Sequence, residues 1–207
     1  FFFTDINSLD ITEINQLNEY VYSNEIDIII NCAAYTNVEK AEVEKDIALK
    51  VNSFGVKNLV KCVEKFNLKL IHYSTDYVYY GNNFDELNEE SSIMPINFYG
   101  YSKREGEKHI ELSKSKSIVI RTSWLYSKNG NNFVNNIIKK IEKNEKINVV
   151  DDQFGSPTYA KDLANDTLKI ISSENSIEKN YKIYNYSNLG YTSWYQLAKK
   201  ISDLYLI

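Results

Sequence analysis

The stretch Leu70-Ile71-His72-Tyr73-Ser74-Thr75-Asp76-Tyr77, followed later by Tyr99-Gly100-Tyr101-Ser102-Lys103, contains the strongest structural signals in the chain. The apolar start predicts a buried strand whose carboxyl end presents Thr75 and Asp76. A helix that begins near Tyr99 would place Tyr99 and Lys103 on one face, one turn apart. The two segments together predict a strand end facing a helix with a tyrosine and a lysine.

These residue types suit acid–base chemistry at a carbonyl group. A free tyrosine has a pKa of about 10, and a neighbouring ammonium favours the phenolate. We therefore expect Lys103 to pull the pKa of Tyr99 towards neutrality, so that Tyr99 exchanges a proton with a carbonyl oxygen or an alcohol. Thr75 would hold that oxygen by a hydrogen bond. A hydride would have to come from a cofactor, because no side chain supplies one.

An ordinary helical pair is the alternative interpretation of Tyr99 and Lys103. The chain contains 17 tyrosines, so this spacing arises easily, and it recurs at Tyr195 and Lys199. We interpret the second pair as an ordinary helix pair, because no Ser-Thr strand end precedes it. The preceding Ser74-Thr75-Asp76 segment favours a functional role for the first pair.

Composition excludes several classes of protein. A formal net charge of −4 and a pI near 5.4 argue against a nucleic-acid partner. No apolar run approaches the ~20 residues of a membrane span, and the Phe-Phe-Phe start lacks the basic region of a signal peptide. Cys32 and Cys62 are too few for a disulfide framework, so we expect a cytoplasmic protein. His72 and His109 are isolated, and we predict no metal ligands.

Strand and helix patterns alternate along the chain. Apolar runs predict strands over residues 1–4, 26–30, 70–74, 117–122, 147–150 and 182–186. Helical patterns predict helices after a cap at Asp10 or Thr12, over residues 39–66, near Tyr99, over 131–143 and 162–171, and from a cap at Ser193 to Leu204. Asn52, inside the second helical pattern, is either solvated or directed at a site. The acidic segment 81–95 is either a substrate lid or an insertion.

This alternation predicts an α/β fold with a doubly wound, mostly parallel, Rossmann-like sheet. Ligands of such sheets bind beyond the carboxyl ends of the strands. Residues predicted at those ends are Asp5, Ala33, Ala34, Thr75 and Trp124. For residues 31–36 a tight strand-to-helix turn is the alternative to a ligand contact. We expect a nucleotide-binding domain over residues 1–145 and part of a small substrate-binding domain over 146–207.

The chain resembles the extended short-chain dehydrogenase/reductases, and within them the branch that reduces dTDP-linked 4-keto deoxysugars. The matching motifs are Leu-Asp-Ile-Thr at 9–12, Asn-Cys-Ala-Ala-Tyr-Thr at 31–36, Ser-Thr-Asp-Tyr-Val-Tyr at 74–79, the Tyr-Gly-Tyr-Ser-Lys segment after Pro95, Arg-Thr-Ser-Trp at 121–124, Asp-Asp-Gln-Phe-Gly-Ser-Pro-Thr at 151–158 and Thr-Ser-Trp-Tyr at 192–195. The resemblance implies NAD(P)H-dependent reduction of dTDP-4-dehydro-L-rhamnose to dTDP-L-rhamnose. The resemblance also implies a dTDP-sugar as the small-molecule partner, and it leaves open whether the protein forms a homodimer.

The resemblance also implies roles for individual residues. Tyr99 would donate the proton, Lys103 would hold the nicotinamide ribose and lower the pKa of Tyr99, and Thr75 would complete the catalytic group. Asp76 and Trp124, with Thr75, would contact the sugar nucleotide. The residues implied in cofactor binding are Asp5, Asp10, Ile11, Ala33, Ala34, Tyr35, Thr36, Tyr73, Tyr99 and Lys103. A carboxylate at Asp5 favours NADH, because it repels the 2′-phosphate of NADPH.

The sequence also departs from the family pattern. The glycine-rich phosphate-binding loop is absent, so we expect the first βα unit and the C-terminal end to be missing from this chain. The family's bridging Mg²⁺ would need a glutamate near Lys161, and the lysine argues against that metal.

Three alternatives to the reductase stay open. A sugar-nucleotide epimerase or dehydratase shares the Tyr and Lys, although a dehydratase usually has Asp-Glu where Asp76-Tyr77 stand here. A regulatory or binding subunit would keep the fold without turnover, yet it would be expected to lose Tyr99 or Lys103. A truncated, inactive piece of the enzyme is the third.

Overall fold

The computed structural model describes residues 1–81, 86–173 and 181–205. Its main sheet has four strands, β1 (Ile28–Asn31), β2 (Lys69–Thr75), β3 (Lys116–Thr122) and β7 (Tyr181–Tyr186), in the order β1-β2-β3-β7. β1 and β2 run parallel, with Asn31 beside His72. The parallel sheet with flanking helices confirms the predicted fold class.

Eight α-helices occur in the described ranges. They are α1 (Ile14–Ser23), α2 (Val38–Ala41), α3 (Lys45–Leu49), α4 (Val56–Phe66), α5 (Phe98–Glu111), α6 (Phe133–Glu142), α7 (Ala160–Ser172) and α8 (Trp194–Tyr205). Four two-residue strands form two small sheets: β4 (Leu125–Tyr126) pairs with β6 (Thr158–Tyr159), and β5 (Phe154–Gly155) pairs with β8 (Thr192–Ser193).

The chain divides into two compact units. The first comprises residues 1–121 and 174–185, and the second comprises residues 122–173 and 186–207. The predicted boundary at 145/146 falls inside the second unit. The assignment of cofactor and substrate binding to separate regions stays a prediction.

The hydrophobic core of the first unit lies between the sheet and three helices. Apolar positions three or four residues apart on α1 and α4, and one position on α5, are buried together with residues of β2 and β3, because a helix that packs on a sheet buries one stripe of its surface. This core includes Leu17, Val21, Leu59, Val63, Leu70, Ile110 and Val119.

Several predicted elements are wrong in detail. Residues 1–3 form no strand, and Phe1 and Phe3 are about nine-tenths exposed, because no described strand pairs with them. The long helix over 39–66 is interrupted after Ala41 and contains a π-helical segment, Lys50–Gly55. The strand over 147–150 is absent, and the loop that follows contains β5 and β6 instead. A short apolar run does not form a strand without a neighbour to pair with.

Helix caps explain where the correctly predicted helices begin. Asn97 caps α5 by accepting the Gly100 N–H, and Asn132 caps α6 by accepting the Asn135 N–H. Ser193 precedes α8 and accepts the Gln196 N–H, as expected. The predicted cap of α1 is wrong, because the N-cap position is Glu13 and the Asp10 carboxylate accepts the Thr12 N–H instead.

Candidate active site

Helix α5 presents Tyr99 and Lys103 on one face, one turn apart, as predicted. The Asn97 cap fixes the start of the helix two residues before Tyr99. Gly100 lets this first turn approach the end of β2 closely, because a Cβ atom there would lie 2.1 Å from the Tyr77 carbonyl oxygen. The helix start is therefore held against the residues that follow β2.

The carboxyl end of β2 supplies the hydroxyl and carboxylate groups of the site. The Thr75 hydroxyl donates a hydrogen bond to Asp76 Oδ1 at 3.1 Å and accepts one from the Tyr77 N–H at 3.3 Å. The Tyr77 and Tyr99 rings meet edge to face, with centroids 5.9 Å apart. The structure thus brings together Thr75, Asp76 and Tyr99, which the sequence predicted at one site.

The phenol of Tyr99 differs from the prediction in its acidity. Burial raises the pKa of Tyr99 to about 12, a hydrogen bond with Thr75 opposes this shift, and the Asp76 carboxylate and Tyr77 add to it. Lys103 is not among the groups that shift the pKa of Tyr99, and its amine donates a hydrogen bond to the Tyr73 carbonyl oxygen, 2.7 Å away. The predicted lowering is therefore wrong for this structure, and Tyr99 is a neutral phenol at physiological pH.

The amine of Lys103 is buried, with only 2% of the residue exposed. Burial lowers the pKa of Lys103 to about 8, and the neighbouring Glu107 and Cys32 act in the opposite direction. A lysine with such a pKa changes its charge near physiological pH, unlike an exposed lysine. Lys103 is thus set apart from the other lysines by its surroundings.

Asp76 is the second group with a pKa moved towards neutrality. Burial raises the pKa of Asp76 to about 6, although hydrogen bonds from Thr75 and from backbone N–H groups partly offset the effect. Perturbed carboxyl and lysine groups in one place are characteristic of functional sites.

The segment after β1 is held in place by Asn52. The side-chain oxygen of Asn52 accepts the Tyr35 N–H at 2.8 Å, and its nitrogen donates to the Tyr35 carbonyl oxygen and to the Ser102 hydroxyl, both at 2.9 Å. Asn52 is fully buried in the π-helical segment. It joins the 31–36 segment to α5, so the polar residue that the sequence left open is directed at the site.

The small residues Ala33 and Ala34 lie just beyond the end of β1. Ala33 and Thr36 are exposed, and Ala34 and Tyr35 are half-buried. The Tyr35 hydroxyl donates a hydrogen bond to Glu44, which raises the pKa of Tyr35 to about 12. This short backbone segment with exposed small side chains leaves room for a flat ligand at the carboxyl edge of the sheet.

Other residues predicted in cofactor binding have local partners. The exposed Asp5 carboxylate accepts hydrogen bonds from Asn7 and Ser8, and the Ser8 hydroxyl is the main cause that lowers the pKa of Asp5. The Ile11 side chain packs where a Cβ atom on Gly55 would stand. Tyr73, half-buried in β2, offers its carbonyl oxygen to Lys103. Their contact with a cofactor stays a prediction.

Trp124 belongs to the second unit, where it stacks on Trp194 with ring centroids 3.4 Å apart. Its backbone φ is +46°, a region that bulky residues rarely adopt. A Cβ atom on Gly155 would lie 2.6 Å from the Trp124 ring, so only glycine fits there. A residue held in this conformation by its neighbours is often functional. The predicted contact between Trp124 and a substrate stays a prediction.

A buried ion pair joins Glu107, on α5 one turn beyond Lys103, to Arg121 on β3. Arg121 donates to both oxygens of Glu107, at 3.0 and 2.7 Å, and its third contact is the Tyr79 hydroxyl at 2.8 Å. Tyr79 in turn donates to Asn185 Oδ1 at 2.7 Å. Sequence reasoning missed Glu107, although its position four residues after Lys103 was a usable signal.

Two kinds of feature are absent from the part of the chain that the structure describes. No group of three or more His, Cys, Asp or Glu side chains there is placed to hold a metal ion. None of the helices in those ranges is sufficiently long and apolar to cross a membrane. Residues 82–85 of the acidic 81–95 segment lie outside the described residues, so the choice between lid and insertion stays open.

A parallel sheet with flanking helices, whose Thr-Asp strand end faces a helical Tyr and Lys, defines a Rossmann-like protein. The chain belongs to the family of the RmlD substrate binding domain, whose model matches residues 2–206. Both conclusions confirm the family resemblance seen in the sequence.

Individual relatives support this assignment. The chain is 37% identical to a dTDP-4-dehydrorhamnose reductase of Aggregatibacter actinomycetemcomitans over 203 residues, covering 96% of this chain and 68% of that one. It is 39% identical to the spore coat polysaccharide biosynthesis protein SpsK of Bacillus subtilis, covering 86% of this chain and 60% of that one. The chain thus spans about three-fifths to two-thirds of these relatives.

A solved structure is similar over nearly the whole chain. The dTDP-4-dehydrorhamnose reductase of Bacillus anthracis, in complex with NADP, superimposes with a TM-score of 0.90 at 41% identity. The match covers 99% of this chain and 71% of that one.

Proposed function

We propose that this chain is part of an NAD(P)H-dependent reductase that converts dTDP-4-dehydro-L-rhamnose to dTDP-L-rhamnose. Relatives named for this activity match most of the chain. The observation that carries the proposal is the neutral Tyr99 phenol beside Thr75, one helical turn from the buried Lys103.

Tyr99 acts as the proton donor. A carbonyl oxygen that gains negative charge during reduction is a far stronger base than the ground-state carbonyl, so a phenol that stays protonated is a suitable acid. Thr75 holds the same oxygen once its hydroxyl proton turns from Asp76 Oδ1 to the substrate. Because the pKa of Tyr99 is raised to about 12, the donor keeps its proton throughout the physiological range.

The residues present fit a nicotinamide dinucleotide. Lys103 and Tyr99 offer donors for ribose hydroxyls, and the exposed Ala33 leaves room for a flat ring system beyond β1. Tyr35 and Thr36 would continue this surface, with Asp5, Asp10, Ile11 and Tyr73 as the further predicted contacts. When bound, NAD(P)H supplies the hydride. Asp5 favours NADH, whereas the Bacillus anthracis structure holds NADP, so both cofactors belong in the assay.

Asp76 and Trp124 are the proposed contacts for the sugar nucleotide. Asp76 lies beside Thr75, where a carboxylate can accept hydrogen bonds from sugar hydroxyls. Trp124 offers a flat, apolar ring of the kind that stacks on a sugar or a base.

A second substrate is supported by one relative. The dTDP-4-keto-6-deoxy-D-glucose reductase of Streptomyces niveus is 32% identical over 194 residues. Its name indicates the same reaction at C4 of another deoxysugar, so the stereochemistry of the sugar has to be measured. The cytoplasmic location and the homodimer stay predictions.

The test compares Tyr99→Phe with Tyr101→Phe in the full-length reductase that contains this chain, by NADH and NADPH oxidation with dTDP-4-dehydro-L-rhamnose. Tyr101 lies on the same helix, is 42% exposed and packs on Phe98, a contact that phenylalanine keeps. Loss of a general acid costs roughly 10²- to 10⁴-fold in rate. We expect that loss in Tyr99→Phe and a change of less than about twofold in Tyr101→Phe. Full turnover in Tyr99→Phe would refute the assigned role.

A further inference from the structure

His72 is a fully buried titratable residue that the proposed reaction does not use. It lies on β2 beside Asn31 of β1, in register across the parallel pair. Its Nδ1 atom is 2.9 Å from Asn31 Nδ2, and its Nε2 atom is 3.4 Å from Lys103 Nζ. The ring therefore stands between a side-chain amide and the amine of the active-site lysine.

The orientation of the Asn31 amide is fixed by a backbone group. The Ala33 N–H donates to Asn31 Oδ1 at 3.0 Å, and a backbone N–H cannot accept a hydrogen bond. Asn31 Nδ2, which only donates, must therefore face the ring. His72 Nδ1 is the acceptor, and a neutral imidazole then carries its single proton on Nε2.

The Nε2–H group points at the amine of Lys103. An ammonium has three donors and no lone pair, so it cannot accept this hydrogen bond. A neutral amine accepts it with its lone pair and still donates to the Tyr73 carbonyl oxygen at 2.7 Å. Donors and acceptors then alternate without conflict along Ala33, Asn31, His72, Lys103 and Tyr73.

We propose that His72 is a positioning residue for Lys103: Asn31 holds the His72 proton on Nε2, and this proton favours the neutral amine of Lys103. The role of Lys103 in catalysis rests on the proposed function, but the hydrogen-bond chain does not. The hydrogen-bond chain lets Lys103 lose and regain a proton in the working pH range, where an ordinary lysine stays charged.

The other groups that face Lys103 act in known directions. Cys32, beyond the end of β1, and Glu107, one turn further along α5, both favour the ammonium. Glu107 is also bound by Arg121 at 2.7 Å, which reduces its effect on Lys103. Tyr99 stays neutral. Burial lowers the pKa of His72 well below its usual value, and Lys103 adds to this shift. The His72 ring is therefore neutral, as the hydrogen-bond chain requires.

The test reads the tautomer of His72 by ¹⁵N NMR of the imidazole ring in the full chain. The sequence has 2 histidines, so a His109→Gln spectrum isolates the His72 signals. We expect an unprotonated Nδ1 and a protonated Nε2 in the wild-type protein. This measurement changes neither His72 nor its hydrogen-bond partners and needs no turnover, so its outcome is independent of the reductase assay.

The variant Asn31→Asp reverses the direction of the hydrogen-bond chain. A carboxylate still accepts the Ala33 N–H and offers its second oxygen to the ring, so the proton moves to Nδ1 and Nε2 becomes an acceptor for an ammonium. We expect this change of tautomer. We also expect the titration midpoint of Lys103 to rise by at least about one pH unit, which is a tenfold rise in its proton affinity. The ¹³Cε resonance missing in Lys103→Met identifies that titration.

The matched control is Asn37→Asp, which adds the same charge in the first unit. Asn37 caps α2 through its side-chain oxygen, a role that aspartate fills equally well. It should change neither the tautomer nor the lysine titration. A wild-type ring protonated on Nδ1 would overturn the proposal. So would an Asn31→Asp variant whose Lys103 titration rises while His72 keeps its proton on Nε2, because charge alone would then explain the rise.

Discussion

Replacing Asp76 by asparagine should stabilise the protein, although Asp76 is a candidate substrate contact. Burial raises the pKa of this carboxyl group from 3.8 to about 6. The folded state therefore holds its proton more tightly than the unfolded state. The associated stability is fully present below about pH 4 and is lost as the pH rises through about 6.

The magnitude follows from the size of the shift. Each pKa unit corresponds to about 1.36 kcal/mol, so a shift of roughly two units sets an upper bound of about 3 kcal/mol above pH 7. Asparagine keeps an oxygen that can accept the Thr75 hydrogen bond, so that contact need not be lost. We expect Asp76→Asn to raise the free energy of unfolding at pH 7.5 by about 1–3 kcal/mol relative to its effect at pH 4.

The assay is urea unfolding followed by circular dichroism at pH 4, 6 and 7.5 for the wild type and the variant. Asp152→Asn removes the same charge from an exposed position and serves as the control. A difference between wild type and Asp76→Asn that does not depend on pH would refute the reasoning. A variant less stable at pH 7.5 than at pH 4, relative to the wild type, would show that the sign is wrong.

Two further substitutions test the packing around α5. Glu107→Leu should cost about 3–5 kcal/mol of unfolding free energy, because it leaves the Arg121 guanidinium buried without its carboxylate; a cost below about 1 kcal/mol in urea unfolding would show that the pair is not needed. Gly106→Ala should also destabilise by at least about 2 kcal/mol, since the new Cβ atom would lie 2.1 Å from the Asn52 carbonyl oxygen. An exposed helical Gly→Ala change normally stabilises by about 1 kcal/mol, so a gain in thermal stability would contradict the observed close approach.

The sequence predicted those elements whose signals are local. The strand predicted over residues 70–74 lies within one residue of β2 at each end, and the helix predicted near Tyr99 begins at Phe98. Thr75, Asp76 and Tyr99 meet because a strand end and a helix start adjoin in this fold. Patterns of apolar and polar residues fail where a strand forms only by pairing with a neighbouring strand. Residues 147–150 have the composition of a strand, but no described strand pairs with them.

The electrostatics of the site could not be predicted from spacing. A lysine one turn from a tyrosine suggested a lowered pKa for Tyr99, yet the amine turns to the Tyr73 carbonyl oxygen and burial governs the phenol. The direction of the Tyr99 pKa shift depends on where the Lys103 side chain runs and on how deeply the Tyr99 phenol is buried. Sequence separation encodes neither. His72 and Asn31 were missed for a related reason, since parallel register brings residues 41 positions apart side by side.

The proposed function depends above all on reduction at C4 of the sugar, with Tyr99 as the proton donor. The most direct measurement supplies the reduced nicotinamide cofactor with deuterium at both C4 positions, together with dTDP-4-dehydro-L-rhamnose, and locates the label in the product by NMR. We expect one deuterium at C4 of the sugar, and no labelled product with Tyr99→Phe. Product without deuterium, or an epimerised sugar formed without net oxidation of the cofactor, would refute the proposed reduction and favour an epimerase or dehydratase.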